Sequence, residues 1–178
     1  KVKFGVRQGI FLLPSILTTI SMLLGFYSMI KSMNSVNSEL TFYVQAASAI
    51  LIAAFFDGID GRVARLTKTT SEFGVQYDSL ADMSSFCLAP AILLYSWSLN
   101  SYGRIGWLAA FLFFACGTLR LARFNVQSQD VEKNFFQGLP TPVAGAFIAS
   151  AVILHQQYEK VGHSAHFYIV LLAFLLSY

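Results

Sequence analysis

Four aspartates are the residues of this chain whose type and spacing could do chemistry. Asp57 and Asp60 stand three positions apart, and Asp78 and Asp82 stand four positions apart. On a helix, either spacing places both carboxylates on one face. The turn between the two pairs, residues 68–71, is short and polar. We therefore expect two antiparallel helices whose acidic faces meet.

The type of these side chains predicts a divalent-metal site. Four acids gathered in an apolar setting repel one another and carry a large desolvation cost unless cations neutralise them. Mg²⁺ and Mn²⁺ prefer hard oxygen ligands and often share them with substrate phosphate, whereas no neighbouring His or Cys suggests zinc. Gly61 and Gly74 have no side chain to keep a pyrophosphate from the backbone. Arg65 continues the face of the first acidic pair and could contact phosphate oxygen.

The surrounding sequence predicts membrane helices that position the acids. The 178 residues are 56% hydrophobic and 12% charged, which is far more apolar than a soluble domain of this length. Because about 20 apolar residues cross a bilayer, six runs are candidate spans: residues 8–29, 40–56, 83–99, 105–119 and 143–154, and a run that begins near His166. We predict an all-α polytopic membrane bundle of six transmembrane helices, with residues 1–178 forming one domain.

The basic residues predict the orientation of this bundle. A cytoplasmic N-terminus places nine Lys and Arg residues on the inner side and leaves three outside: Lys31, Arg104 and Lys160. The acids then face the cytoplasm from an integral protein of the cytoplasmic membrane. The net charge of +3 thus reports topology, and without a soluble basic face no nucleic-acid partner is expected.

The chain ends and the small residues add three expectations. The first apolar run is too long for a cleavable signal, and the Lys1 start and the apolar end at Tyr178 predict further residues beyond both. Cys87 and Cys116 have no partner at metal-ligand spacing and are interpreted as small core residues. Seven small residues are predicted to pack helices closely: Gly25, Ala46, Ala47, Ser48, Gly117, Gly145 and Ala149.

Two alternatives to a metal-dependent enzyme stay open at this point. The acids could pair with Arg62 and Arg65 as structural salt bridges, although four membrane acids at these spacings favour a functional site. A cation transporter or channel also uses acids in membrane helices. These acids cluster at one membrane face, however, and the other predicted spans continue no acidic track.

The pattern D-x-x-D-G-x-x-A-R, eight residues, G-x-x-x-D-x-x-x-D resembles the signature of the CDP-alcohol phosphotransferase family at every fixed position. The resemblance implies that Asp57, Asp60 and Asp78 hold a pair of divalent ions, Mg²⁺ or Mn²⁺. It places Asp82 near the metal as the general base. The residues it implies for contact with the CDP-lipid are Thr18, Gly61, Arg65, Ser71 and Gly74. Family resemblance and the small-residue faces also favour a homodimer.

Two further segments resemble the phosphatidylserine synthase branch of that family: Arg120-Leu-Ala-Arg123-Phe-Asn125, and residues 138–142. This resemblance implies acceptor binding by Arg120, Arg123 and Asn125. A pair of guanidinium groups suits a serine carboxylate or a lipid phosphate, although basic residues at an inner helix end also serve as membrane anchors.

The reaction implied by both resemblances is phosphatidyl transfer from CDP-diacylglycerol to L-serine, which gives phosphatidylserine and CMP. The same chemistry with another acceptor alcohol, such as glycerol phosphate or inositol phosphate, stays open. The choice between a diacyl ester and an ether lipid also stays open.

Overall fold

The structure, a computed structural model, describes residues 4–34, 41–67, 72–127 and 140–157, with side chains for residues 15–34, 41–63, 72–126 and 140–155. Six α-helices account for most of these residues: α1 Phe4–Asn34, α2 Thr41–Thr67, α3 Glu72–Asp82, α4 Ala89–Trp97, α5 Gly103–Gln127 and α6 Thr141–Gln157. A π-helical segment, Met83–Leu88, joins α3 to α4, and a 3₁₀ turn, Leu99–Tyr102, precedes α5. The described part of the chain contains no strand, which confirms the predicted all-α class.

Four helical stretches are long and apolar enough to cross a membrane: Ser15–Asn34, Thr41–Val63, Glu72–Trp97 and Leu99–Val126. The apolar part of α6, Thr141–His155, is shorter. Five of the six predicted runs are therefore helical. The sixth, from His166, lies outside the described residues, and the six-span count stays a prediction.

The helices that contain the third and fourth predicted spans are longer than the apolar runs. The third run, residues 83–99, belongs to a helical stretch that begins at Glu72 and includes Asp78 and Asp82, as their helical spacing predicted. The fourth run ends at residue 119, and α5 continues to Gln127 with the predicted acceptor residues on the same helix.

Small polar residues form the buried face of α1. They alternate at spacings of three and four: Thr18, Ser21, Gly25, Ser28 and Ser32. Ser21 donates a hydrogen bond from Oγ to the Ala53 carbonyl of α2 at 3.2 Å. The facing positions of α2 are mostly small apolar residues, including the fully buried Ala46 and Ala53. Small side chains let the two backbones approach closely, so α1 runs beside the acidic end of α2.

A wide turn follows Asp82 within the third span. The Ala89 N–H donates to the Ser84 carbonyl, five residues back, in the π-helical pattern. Pro90 offers a cause, because it has no N–H to give to the carbonyl of Phe86 one turn earlier, and its ring clashes with that carbonyl in a regular α-helix. The span therefore continues from α3 into α4 through a segment of different pitch.

The predicted packing residues are used inside one chain. Six of the seven are buried in the described bundle, and Ser48 is half-buried. Several belong to a core cluster with Ile50, Phe86 and Leu93. These residues therefore give no support to the predicted homodimer, which stays a prediction. Cys87 is buried and Cys116 half-buried, both as free thiols, as expected for core residues.

Candidate active site

Three carboxylates converge where α2 and α3 lie side by side. One oxygen from each of Asp57, Asp60 and Asp78 lies within 4.8 Å of the others. The i, i+3 spacing on α2 brings the first two together, and the short connection to α3 brings the third. The predicted meeting of the acidic faces is thus confirmed.

Asp82 lies beside this cluster. Its carboxyl group is close to that of Asp57, but Asp82 is not among the three carboxylates that lie within 4.8 Å of one another. Asp78 and Asp82 each bury one oxygen, Oδ1, that has no hydrogen-bond partner. Buried acceptors of this kind are costly unless a donor or a cation satisfies them.

The first helix orients the cluster from a third side. Thr18 of α1 is buried and donates a hydrogen bond from Oγ1 to Oδ2 of Asp60 at 3.0 Å. The next residue, Thr19, lies 2.9 Å from the Tyr77 hydroxyl of α3. Adjacent residues of α1 therefore contact both acid-bearing helices. The sequence singled out Thr18 for lipid binding but missed Thr19 and Tyr77, which carry no motif.

The α2 surface beside the acids is open. A Cβ added at Gly61 would meet no atom of the described residues within 4 Å, which leaves room for a ligand beside the backbone there. Arg65 lies on α2, but its side chain is outside the described part of the chain, as is all of Ser71. Gly74 is half-exposed on the first turns of α3. The lipid-contact roles of these residues stay predictions.

The predicted acceptor residues lie on the last turns of α5 in different surroundings. Arg120 is half-buried and Arg123 is exposed. Asp82 and Arg120 both lie within electrostatic range of the buried Cys87, so Arg120 is near the acidic site. Asn125 donates from Nδ2 to Ser79 Oγ at 2.8 Å, and the Ser79 hydroxyl lies 3.1 Å from Asn125 Oδ1. Asn125 thus links α5 to α3 at Ser79, the residue that follows Asp78.

The structural salt-bridge alternative finds no support at Arg62, and the Arg65 side chain lies outside the described residues. Arg62 is exposed on α2, and no ion pair joins it to an aspartate in the described segments.

A family model described as CDP-alcohol phosphatidyltransferase matches residues 11–178. The chain belongs to the CDP-alcohol phosphatidyltransferase family. This confirms the resemblance carried by the aspartate signature. Together with the long apolar helices, it identifies an integral membrane protein.

Curated relatives within this CDP-alcohol phosphatidyltransferase family carry one name, CDP-diacylglycerol–serine O-phosphatidyltransferase. The Helicobacter pylori protein is 38% identical over 84% of this chain and 61% of its own length. The Mycobacterium leprae protein is 36% identical over 83% of this chain and 48% of its own length. The Saccharomyces cerevisiae protein is 37% identical over 70% and 47%. The chain thus spans about half to three-fifths of the length of these relatives.

The residues present fit a divalent cation. Three carboxylate oxygens within 4.8 Å of one another supply the hard ligands that Mg²⁺ and Mn²⁺ prefer. The buried, unpartnered oxygen of Asp78 is a free ligand position. Thr18 orients Asp60 in the way that outer-shell donors orient metal ligands.

This arrangement predicts that Thr18→Val weakens metal binding. The substitution keeps the side-chain volume and removes the hydrogen bond to Asp60, so we expect the affinity for Mn²⁺ to fall about tenfold or more, as for other outer-shell partners. Mn²⁺ is titrated against the purified protein in the absence of the CDP-lipid, and electron paramagnetic resonance measures the Mn²⁺ that stays free. Thr18→Ser keeps the hydroxyl and should bind as wild type. Equal affinities for the Val and Ser variants would contradict the role given to Thr18.

Proposed function

We propose that this protein transfers the phosphatidyl group of CDP-diacylglycerol to L-serine, giving phosphatidylserine and CMP. The observation that carries the proposal is the convergence of Asp57, Asp60 and Asp78, with Asp82 against Asp57, in a member of the CDP-alcohol phosphatidyltransferase family. The names of the relatives support serine as the acceptor.

The proposed step is a displacement at the lipid-side phosphorus. The serine hydroxyl oxygen forms a bond to that phosphorus while its proton passes to the carboxylate of Asp82. The phosphoanhydride bond to CMP breaks, and its electron pair leaves on the CMP phosphate. Asp82 suits the base role because its buried Oδ1 has no hydrogen-bond partner and is therefore free to accept a proton.

Asp57, Asp60 and Asp78 would hold the divalent cation, with Asp82 beside them. When bound, the cation supplies Lewis-acid charge that offsets the negative charge of the pyrophosphate and of the departing CMP. The residues of this chain would position the donor beside the bound cation. The open backbone at Gly61 admits the pyrophosphate, and Gly74, Ser71 and Arg65 are proposed to contact the lipid from the same side.

The acceptor is proposed to bind at the inner end of α5. Arg120 is half-buried near the acidic site, where a guanidinium group can pair with the carboxylate of serine. With its carboxylate there, the serine hydroxyl can be directed toward Asp82. Arg123 and Asn125 are proposed as further contacts, Asn125 through its position against Ser79.

We also propose six membrane spans with a cytoplasmic N-terminus and a cytoplasmic active site. Several basic residues lie at the bundle end that carries the acids, among them Arg62, Arg120 and Arg123. Lys31 and Arg104 lie at the opposite end, where α1 ends and α5 begins. The excess of basic residues marks the cytoplasmic side.

Serine should be the preferred acceptor in a panel that includes glycerol phosphate, inositol phosphate and ethanolamine. We expect release of CMP from CDP-diacylglycerol to require both serine and added Mg²⁺ or Mn²⁺, since the acids need a cation and Arg120 needs a carboxylate. Quantifying CMP and the lipid product for each alcohol measures this. Equal or faster release with another alcohol would overturn the acceptor assignment, and metal flux in liposomes without CMP would favour a transporter.

The same panel tests the residue assigned to the acceptor. Arg120→Leu should raise KM for serine about tenfold or more, because a charge-assisted hydrogen bond is lost, while KM for CDP-diacylglycerol changes little. Arg104→Leu removes an exposed arginine at the opposite end of α5 and serves as the matched control. Equal serine KM values in the two variants would remove Arg120 from the acceptor site.

Asp82→Asn should abolish turnover while leaving donor binding in place. The amide cannot accept the proton, so kcat should fall by about a hundredfold to ten-thousandfold, the usual contribution of a general base. CMP release measures kcat, and binding of a radiolabelled CDP-lipid measures the donor site. Glu72→Gln, an exposed acid on the first turn of the same helix, should retain wild-type turnover. Normal kcat in Asp82→Asn would exclude the base role.

Cysteine labelling tests the proposed orientation. In a Cys87→Ala, Cys116→Ala background, Lys31→Cys should react with a membrane-impermeant maleimide in intact cells, because Lys31 stands in the last turn of α1, the end that is proposed to lie outside. Arg62→Cys should react only after the cells are permeabilised. The reverse pattern would invert the topology.

A further inference from the structure

The π-helical segment that follows Asp82 buries three consecutive residues, Ser85, Phe86 and Cys87. One face of a regular α-helix cannot bury three neighbours equally, because successive side chains point about 100° apart at 3.6 residues per turn. The three residues are instead surrounded by different helices. Their contacts therefore fix the segment from several directions.

Each of the three residues packs against a glycine of a different helix. Ser85 faces Gly25 of α1, Phe86 faces Gly145 of α6, and Cys87 faces Gly117 of α5. Ser85 also donates a hydrogen bond to the Ser21 carbonyl of α1 at 3.2 Å. The segment is thus the point where three other helices meet the span that carries Asp78 and Asp82.

A side chain at any of these three glycines would require the segment to give way. At Gly25 a Cβ would lie 2.6 Å from Ser85 Oγ and 2.7 Å from the backbone atom Ser85 Cα. At Gly117 it would lie 2.8 Å from the side-chain sulfur of Cys87, and at Gly145 it would lie 3.2 Å from the Phe86 carbonyl oxygen, a tight contact. By contrast, a Cβ at Gly58, next to Asp57, would meet no atom of the described residues within 4 Å.

We propose that Gly25, Gly117 and Gly145 are positioning residues that act through Asp82. Because these glycines have no side chain, the π-helical segment can pack directly against the three helices. This packing determines where the segment begins, and hence where the carboxyl group of Asp82 lies relative to Asp57. The inference deepens the proposed function, because it rests on Asp82 as the base. Asp57 and Asp60 stand on α2, so displacement of the segment that directly follows Asp82 moves the base relative to these two acids and to the donor site beside them.

The expected signature is a loss of kcat with little change in KM. Misplacement of a catalytic group by about 1 Å can cost about a hundredfold in rate. The α2 backbone at Gly61, where the donor is proposed to bind, lies on a different helix from the segment. A general loss of folding would instead lower the amount of active enzyme and leave the KM values and the kcat per active site unchanged.

The central experiment uses Gly117→Ala and the atom that opposes it. The added methyl meets mainly Cys87 Sγ, at 2.8 Å, while the Cys87 Cβ is 3.4 Å away. We expect Gly117→Ala to lower kcat at least about tenfold. Cys87→Ala removes the opposing sulfur, so the double variant should recover to within about threefold of Cys87→Ala alone, a coupling typical of residues in contact. Gly58→Ala should match wild type.

Gly25 provides a contrasting pair. Ser85→Ala removes the hydroxyl but leaves the Ser85 Cα at 2.7 Å from the added methyl. Gly25→Ala should therefore stay impaired in the Ser85→Ala background. Rescue of Gly117→Ala together with failure to rescue Gly25→Ala follows from this contact geometry, and rescue of both or of neither would contradict it.

A double-variant cycle shows whether the glycines act through Asp82. In an Asp82→Asn background, Gly117→Ala should cause no further loss of the residual rate, because the group that it displaces is no longer a base. A further tenfold loss there would show a role independent of Asp82 and overturn the proposal. Wild-type kcat in a folded Gly117→Ala variant would also overturn it.

If the proposed function itself is wrong and Asp82 is not the base, the Asp82→Asn variant turns over normally. That result is distinct from every outcome that would overturn the role of the glycines alone. Should Gly117→Ala not fold, Gly145→Ala carries the test as the milder change. Its methyl meets the Phe86 carbonyl oxygen at 3.2 Å, and an unchanged kcat in that variant would overturn the proposal.

Discussion

Mutual repulsion of the aspartates is the constraint on which the rest of this structure depends. At the 4.8 Å that bounds Asp57, Asp60 and Asp78, two unit charges repel by about 3 to 4 kcal/mol at an effective dielectric constant of about 20. Thr18 supplies one hydrogen bond to this cluster, which is too little to offset three such pairs. A divalent cation would offset these repulsions, and a bound cation would in turn attract phosphate. The proposed affinity for a pyrophosphate-bearing donor thus has a physical basis in how the charges of the site must be balanced.

The bundle must hold these charges together against their repulsion, and the small residues of α1 make this possible. Their size lets α1 lie close to α2, which brings Thr18 to Asp60 and Thr19 to Tyr77. One helix thereby contacts both acid-bearing helices through adjacent residues. About one turn further along α1, the same face receives Ser85 of the π-helical segment, which donates to the Ser21 carbonyl. The face that orients Asp60 is thus continuous with the face that contacts the segment after Asp82.

Local spacing predicted the part of the site that depends on local geometry. The i, i+3 and i, i+4 positions of the aspartates and the short turn between them were enough to predict that the acids meet, because helical periodicity and a short connection leave little freedom. The helix lengths were less predictable. Hydropathy marks only the apolar part of the third span, from residue 83, whereas the helical stretch runs from Glu72 to Trp97 and includes Asp78 and Asp82.

The features that the sequence did not reveal depend on several helices at once. Pro90 is visible in the sequence, but a proline inside a span can produce a kink, a helix end or a wide turn. Which of these forms depends on whether other helices can accept the displaced residues, and here the glycines of α1, α5 and α6 do so. The Ser79–Asn125 contact likewise needs α5 to reach Gln127, which hydropathy alone placed outside the fourth span.

The division of the site between helices bears on how the donor and the acceptor are recognised. The carboxylates and Gly61 lie on α2 and α3, whereas the residues assigned to the acceptor lie on α5. Asn125 joins the two parts at Ser79, beside Asp78. On the proposed assignment, a substitution on α5 would change how the alcohol is held without disturbing the carboxylates, as long as this junction keeps α5 in register with α3. The spacing of the aspartates describes only the part of the site on α2 and α3, which is why it leaves the acceptor open.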